Sequence, residues 1–321
     1  MNKYAWFRKL YRWLGTVFLI LSIVFFVRYA LQHADDMPSI TWGLVQWSVV
    51  LASVLLHIGN IVVLGLIWQL LLYDHGVKLH PWQLQVIIFV SQFGKYLPGN
   101  IGHFAGRAYM AKDLDVAVST SVHTIIVESL LSVGVAGVLA FIALGLLIDT
   151  NIMDGIISVQ PYVLVLLLFG SLLFPWVSVR CLNAFFPRIS NKISGGGPII
   201  EPRISTAVAV AGLFLFCFFT IGLIIQMHST WLFNASGVHV IEFTVLFAVV
   251  WVAGYIVPGA PAGVGIREAL MLVLFTPIVG PAIAVALSVS FRLVTTIGDG
   301  LAFLIGLLVR SSMSEKFRDL P

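Results

Sequence analysis

Charge is scarce in this sequence. Asp, Glu, Lys and Arg make up 10% of its 321 residues and hydrophobic residues 60%, which leaves too little polar surface to clothe a soluble domain. With a mean hydropathy of +1.03, the chain reads as a polytopic membrane protein. Cysteine is nearly absent too. Cys181 lies beside a basic loop and Cys217 inside an apolar run, with no CxxC or His/Cys spacing, so neither a disulfide framework nor a metal site is expected. No P-loop, GxSxG or HExxH occurs, and "GAPAGVG" has no βαβ context to make it a dinucleotide fingerprint. No catalytic residue and no cofactor is assigned on these grounds. The formal net charge of +4 needs no nucleic-acid partner; the cations are better read by location, as orientation signals.

What the sequence does have is apolar runs. Those at 13–30, 42–73, 117–148, 161–179, 205–232 and 281–309 are long enough to cross a hydrocarbon core of about 30 Å, which takes roughly 20 helical residues. The first follows Lys3, Arg8, Lys9 and Arg12 and lacks a small-residue cleavage site, so it reads as a retained helix. Two further stretches, 82–97 and 240–257, each run into a Pro-Gly pair and a glycine-rich segment before apolar sequence resumes.

The groups 3–12, 78, 107–112, 180–203 and 310–318 hold fourteen of the eighteen Lys and Arg residues. All of them reach one side if 82–107 and 240–277 are hairpins that enter and leave the membrane by the same face. The acidic loops "QHADDMPS" and "DTNIMDG" then face the other side. The expected architecture is all-α, within one integral membrane domain over 1–321: six spans, two re-entrant hairpins and both termini cytoplasmic in the cytoplasmic (inner) membrane. The basic segment 180–203 is a linker whose cations can meet anionic headgroups.

The two hairpins share a pattern. "YLPGNIGHFAGR" recurs in outline as "YIVPGAPAGVGIRE": Pro98 to Arg107 and Pro258 to Arg267 both span nine residues, and the prolines lie 160 apart. The order span, span, hairpin, span describes both 13–149 and 160–310, with opposite starting sides. That is an inverted-topology repeat, an arrangement that puts broken helices and a substrate site near the bilayer midplane.

In hydrocarbon every backbone N–H and C=O needs a partner, so the breaks at Pro98, Gly99, Pro258 and Gly259 must face protein or water. Gly102, Gly263 and Gly265 permit close approach of backbone. A helix starting after a break turns free N–H groups inward, which suits a phosphate or carboxylate. Lys95 and Arg107 bracket the first break, Arg267 and Glu268 close the second, and Arg292 sits inside the last span. Such ions must pair or face a cavity. Glu128 is the natural counter-charge to one of the cations, Glu268 is expected to orient Arg267, and Asp299 shares a helical face with Arg292. Two readings stand for several of these residues: Arg107 as ligand contact or interfacial anchor, and Arg292, Glu128 and Asp299 as site or structural pairs. His103 is read as a packing residue ahead of a proton shuttle. Glu242 is placed at the solvated outer interface, and His57, His123 and His228 receive no ligand role.

Together "GKYLPGNIGHFAGR", "VESLL", "VPGAPAGVGIREA" and "FRLVTTIGD" resemble the lysylphosphatidylglycerol synthase transmembrane-region family, over about residues 10 to 310. The resemblance implies a lipid-handling membrane protein, a flippase-like translocator of a phospholipid or a polyprenyl-phosphate-linked lipid. It also implies headgroup contacts at Lys95, Arg107, Arg267 and Arg292. Two departures stand out: Ser129 follows Glu128 where the family often has Arg, and Ala262 replaces a glycine of the second motif. These 321 residues carry no synthetase domain, so lipid aminoacylation is not expected. Two alternatives remain: an accessory or catalytic subunit of envelope glycan assembly serving a partner glycosyltransferase, and a small-solute transporter. The lipid and the oligomeric state are not specified by the sequence.

Overall fold

A computed structural model describes residues 24–33, 38–97, 102–149, 161–194, 198–235, 237–257 and 261–316. Pro98, Gly99, Pro258 and Gly259, and the start of the first expected span, lie outside the described residues. Everything regular among the described residues is helical. α1 covers 24–32, and is followed by α2 (Leu44–Asp74), α3 (Pro81–Gln92), α4 (Gly102–Lys112), α5 (Val118–Asp149), α6 (Pro161–Phe185) and α7 (Pro187–Ser194). The chain continues through α8 (Ile204–Met227), α9 (Val240–Ile256), α10 (Ile266–Val279) and α11 (Pro281–Lys316).

Four of these helices, among the described residues, are long and apolar enough to cross a membrane: α2, α5, α8 with its π-helical extension to Leu232, and α11. Their apolar residues go all the way round, as expected of helices with protein on one side and lipid on the other. α3 and α4 are different. At 12 and 11 residues they reach only about 18 Å and about 16 Å, well short of a core of about 30 Å. A short 3₁₀ turn, Phe93–Tyr96, extends α3 toward the break.

The packing has an internal correspondence. α3 lies against α2, α4 and α11, while α9 lies against α8, α10 and α5. Exchanging α2 with α8, α3 with α9, α4 with α10 and α5 with α11 turns the first set into the second and returns the α2–α8 contact to itself. At that contact the Thr220 hydroxyl donates to Asn60 Oδ1 at 2.6 Å, across a separation of 160 residues. The Pro-Gly motifs have the same offset. The turn Pro261–Gly263 packs against Phe93–Tyr96, so the two interrupted segments meet inside the bundle.

Glycine makes the first hairpin possible. A Cβ on Gly102 would stand 2.3 Å from the Gly94 carbonyl oxygen, and one on Gly94 2.7 Å from the Gly102 carbonyl carbon. The obstacle in both cases is backbone, which cannot rotate away. Gly102→Ala is therefore expected to separate the two arms and lower folded yield and Tm in detergent, by about 1–3 kcal/mol. Gly300→Ala, whose Cβ would meet nothing within 4 Å, should be neutral or stabilising by up to about 1 kcal/mol.

Candidate functional site

Between the interrupted helices lies a cavity of about 220 Å³. All four cations singled out from the sequence, Lys95, Arg107, Arg267 and Arg292, line it, and so do the carboxylates Glu128, Glu268 and Asp299. The opposite composition comes from α8 and α9, which contribute Phe214, Phe218, Phe247 and Trp251 to the same lining. The cavity is amphipathic: α8 and α9 present no charged side chain to it, while Phe104 on α4 and Phe291 on α11 add rings beside the ions.

Asp299 is the most heavily bonded of the carboxylates. Lys95 Nζ lies 2.8 Å from both of its oxygens, Tyr96 Oη donates to Oδ2 at 2.5 Å, and His57 Nε2 is 3.0 Å from Oδ1. Its side chain is 1% exposed, and three partners on two other segments compensate its desolvation. Arg107 and Glu128 form a second ion pair at 2.5 Å, through Nη1, while the buried Nε of Arg107 has no hydrogen-bond partner. Arg107 is 2% exposed with its guanidinium 5.1 Å from the Trp68 ring centroid. Trp68 is in turn fixed by donating Nε1–H to Thr124 Oγ1 at 3.0 Å. The expectation of an interfacial anchor at Arg107 does not hold; its burial and its partner put it inside the protein.

One expected pairing is exchanged. Glu268 does not orient Arg267; its Oε1 lies 3.5 Å from Arg292 Nε. Successive helical residues point about 100° apart, so positions 267 and 268 cannot face each other. Arg292 and Asp299 line the same cavity, as their shared helical face suggests, without pairing with each other. Seven residues along α11 separate them by about 10 Å of rise. Arg292 instead donates to the carbonyl of Ala262 at 3.2 Å, closing the second turn from below. Arg267 is left without an ion pair or hydrogen bond among the described residues, and its buried Nε has no partner. Its stem passes over Gly254 and Gly263, where an added Cβ would stand 2.6 Å and 2.7 Å from it.

The turn that places Arg267 is left-handed at Ala262 (φ 50°), Gly263 (φ 72°) and Gly265 (φ 81°). Only glycine enters that region freely, so Ala262 stores about 1 kcal/mol there. α10 begins at once after this turn with Glu268 in its first turn, so one protein carboxylate already faces that helix's positive end.

Sequence reasoning gave His57 no role and passed over Tyr96. A signal for the first existed: Ser53, His57 and Asn60 share one face of the otherwise apolar α2. Each makes a contact across the bundle, Ser53 with His228 at 3.1 Å, His57 with Asp299, and Asn60 with Thr220. Tyr96 carried no signal beyond its place next to the break. His103 lines the cavity with a buried, unpartnered Nδ1. His123 bonds the Ile200 carbonyl at 3.0 Å, away from the cavity, and Glu242 accepts from the His239 backbone N–H at the start of α9.

Comparison with protein families matches residues 12–302 to the family described as the lysylphosphatidylglycerol synthase TM region. The chain belongs to that family. It is thus a multi-pass membrane protein of a family concerned with lipid. No curated protein matches it. Within this member of the lysylphosphatidylglycerol synthase TM family, Ala262 stands in a left-handed backbone position, which explains why glycine suits the site better.

The contrast between the two arginines can be measured. Arg107→Met strands Glu128 in the interior and is expected to destabilise by about 3–5 kcal/mol, with most of that recovered when Glu128→Gln is added. Arg267→Met strands no carboxylate and should leave the unfolding temperature in detergent close to that of the wild type.

Proposed function

We propose that the protein translocates a lipid with an anionic or polar headgroup across the cytoplasmic membrane, with the headgroup in the cavity and the acyl chains outside it in the bilayer. The observation that carries this reading is a half-buried arginine, Arg267, with no ion pair or hydrogen bond among the described residues, in a cavity that also has an aromatic lining. A cation without a protein partner in a membrane interior calls for an anion, and aromatic rings suit the apolar part of an amphiphile.

The topology proposed for this activity is six spans with two re-entrant hairpins, arranged as inverted repeats over 13–149 and 160–310, with both termini cytoplasmic. The short reach of α3 and α4, the exchange symmetry of the helix contacts and the one-sided distribution of Lys and Arg support it. Lys95 and Arg292 are placed as electrostatic neighbours of the headgroup, held in position by Asp299 and Glu268. Arg107 with Glu128 is placed as a structural pair in the cavity wall.

The experiment is transfer of fluorescent phosphatidylglycerol, or of a polyprenyl-phosphate lipid, between leaflets of reconstituted vesicles, read by chemical quenching of the outer leaflet. Wild-type protein is expected to accelerate transfer. Arg267→Ala should reduce the rate tenfold or more, since charge-assisted hydrogen bonds contribute about 1.5–3 kcal/mol each. Arg267→Lys should fall between, a point charge replacing a planar fork. Headgroup binding with no transfer would favour presentation of a lipid to a partner glycosyltransferase. Uptake of a small solute with no response to lipid would favour the solute transporter, and full activity in Arg267→Ala would remove Arg267 from the site.

A further inference from the structure

The two halves of the chain differ at several charged positions of the cavity, and at one of them the difference leaves an arginine without a carboxylate. At the offset of 160 residues that separates the Pro-Gly motifs, Arg107 corresponds to Arg267, Gly94 to Gly254, Asn60 to Thr220 and Glu128 to Ser288. The Asn60–Thr220 hydrogen bond joins one such pair directly. α4 packs on α5 as α10 packs on α11, so the elements that carry Arg107 and Glu128 have counterparts in mutual contact carrying Arg267 and Ser288. In the first half the arginine is closed by a protein carboxylate at 2.5 Å. In the second half the corresponding residue is a serine, 1% exposed, whose Oγ has no hydrogen-bond partner and which lines the cavity together with Arg267.

We infer that Arg267 and Ser288 form an oxyanion receptor, in which a ligand's phosphodiester takes the position that the carboxylate of Glu128 holds against Arg107 in the first half. The inference rests on reading the cavity as a headgroup site and names the atoms that receive the headgroup. Both residues contribute donors that the protein itself does not satisfy: the buried Nε of Arg267 and the hydroxyl of Ser288. Leaving such donors unpaired is costly, and a non-bridging oxygen for each satisfies both. Glu268 makes no ion pair or hydrogen bond with Arg267: its Oε1 lies 3.5 Å from Arg292 and its buried Oε2 has no hydrogen-bond partner. Charge fixes the class of anion. Four cations and three carboxylates line the cavity, so one negative charge balances it. That is the charge of a phosphodiester, whereas a phosphomonoester carries close to two near neutral pH.

The test is Ser288→Glu, which gives Arg267 the carboxylate that Glu128 gives Arg107. Purified protein in detergent is titrated with short-chain phosphatidylglycerol and, in a separate arm, with inorganic phosphate, and the rise in unfolding temperature reports binding. Wild-type protein is expected to be stabilised by the phosphodiester lipid, and a response to phosphate alone would assign the receptor to a free anion in place of a headgroup. Ser288→Glu should unfold no earlier than wild type without ligand and should lose the ligand response, with affinity down at least tenfold. Ser288→Ala removes one neutral donor and should weaken binding about fivefold. A wild-type response retained by Ser288→Glu, an unchanged affinity in Ser288→Ala, or no wild-type response to either probe overturns the inference. If Ser288→Glu does not fold, the Ser288→Ala affinity decides alone. Binding that follows these expectations without any transfer of lipid across vesicles would leave the receptor standing and count against translocation. Transfer that is indifferent to both substitutions would do the reverse.

Discussion

An ionised side chain inside a membrane has to be matched by something, and the interior of this protein is organised around how each of its charges is matched. Water cannot do it at low expense, and the surrounding helices offer almost no polar surface. Asp299 gathers an ammonium, a phenol and an imidazole. Arg107 takes Glu128 and lies over Trp68. Arg292 divides itself between Glu268 and a turn carbonyl. Once these partners are assigned, Arg267 remains, and the reading of the cavity as a receptor follows from that remainder.

The backbone serves the same end. Two interrupted segments expose peptide groups that lipid cannot satisfy, so the segments must turn toward each other. Glycine at 94 and 102 lets the arms of the first come into backbone contact. Left-handed residues after the second break aim α10 inward and leave Gly254 and Gly263 beneath the stem of Arg267. The polar face of α2 then joins the two halves, through Asn60 to Thr220 and through His57 to Asp299. Fold and site share these residues, which is why the cavity wall holds both structural ion pairs and a cation without a partner.

Much of this was legible in the sequence, because intramembrane charge and paired Pro-Gly breaks are rare enough to signal their purpose. Lys95, Arg107, Glu128, Arg267, Glu268, Arg292 and Asp299 were all identifiable as interior charges, and all seven line one cavity. The pairing among them was not legible. Spacing along one helix says which residues share a face, but it does not say which neighbouring helix approaches that face. Thus Arg292 and Asp299 share one cavity, as their common face suggests, but take different partners about 10 Å apart along α11. Tyr96 and Ser288 escaped notice because hydroxyl groups are common in apolar sequence; the bond to Asp299 singles out the first, and burial without a partner the second.

In the proposed function Arg267 is matched by a single negative charge from a lipid headgroup. The most direct measurement is a high-resolution structure of the protein in nanodiscs of anionic phospholipid. Phosphate density within hydrogen-bonding distance of the Arg267 guanidinium, with acyl-chain density leading away toward the bilayer, is the predicted result. A guanidinium closed by Glu268 or another protein carboxylate, with no lipid density in the cavity, would contradict the account.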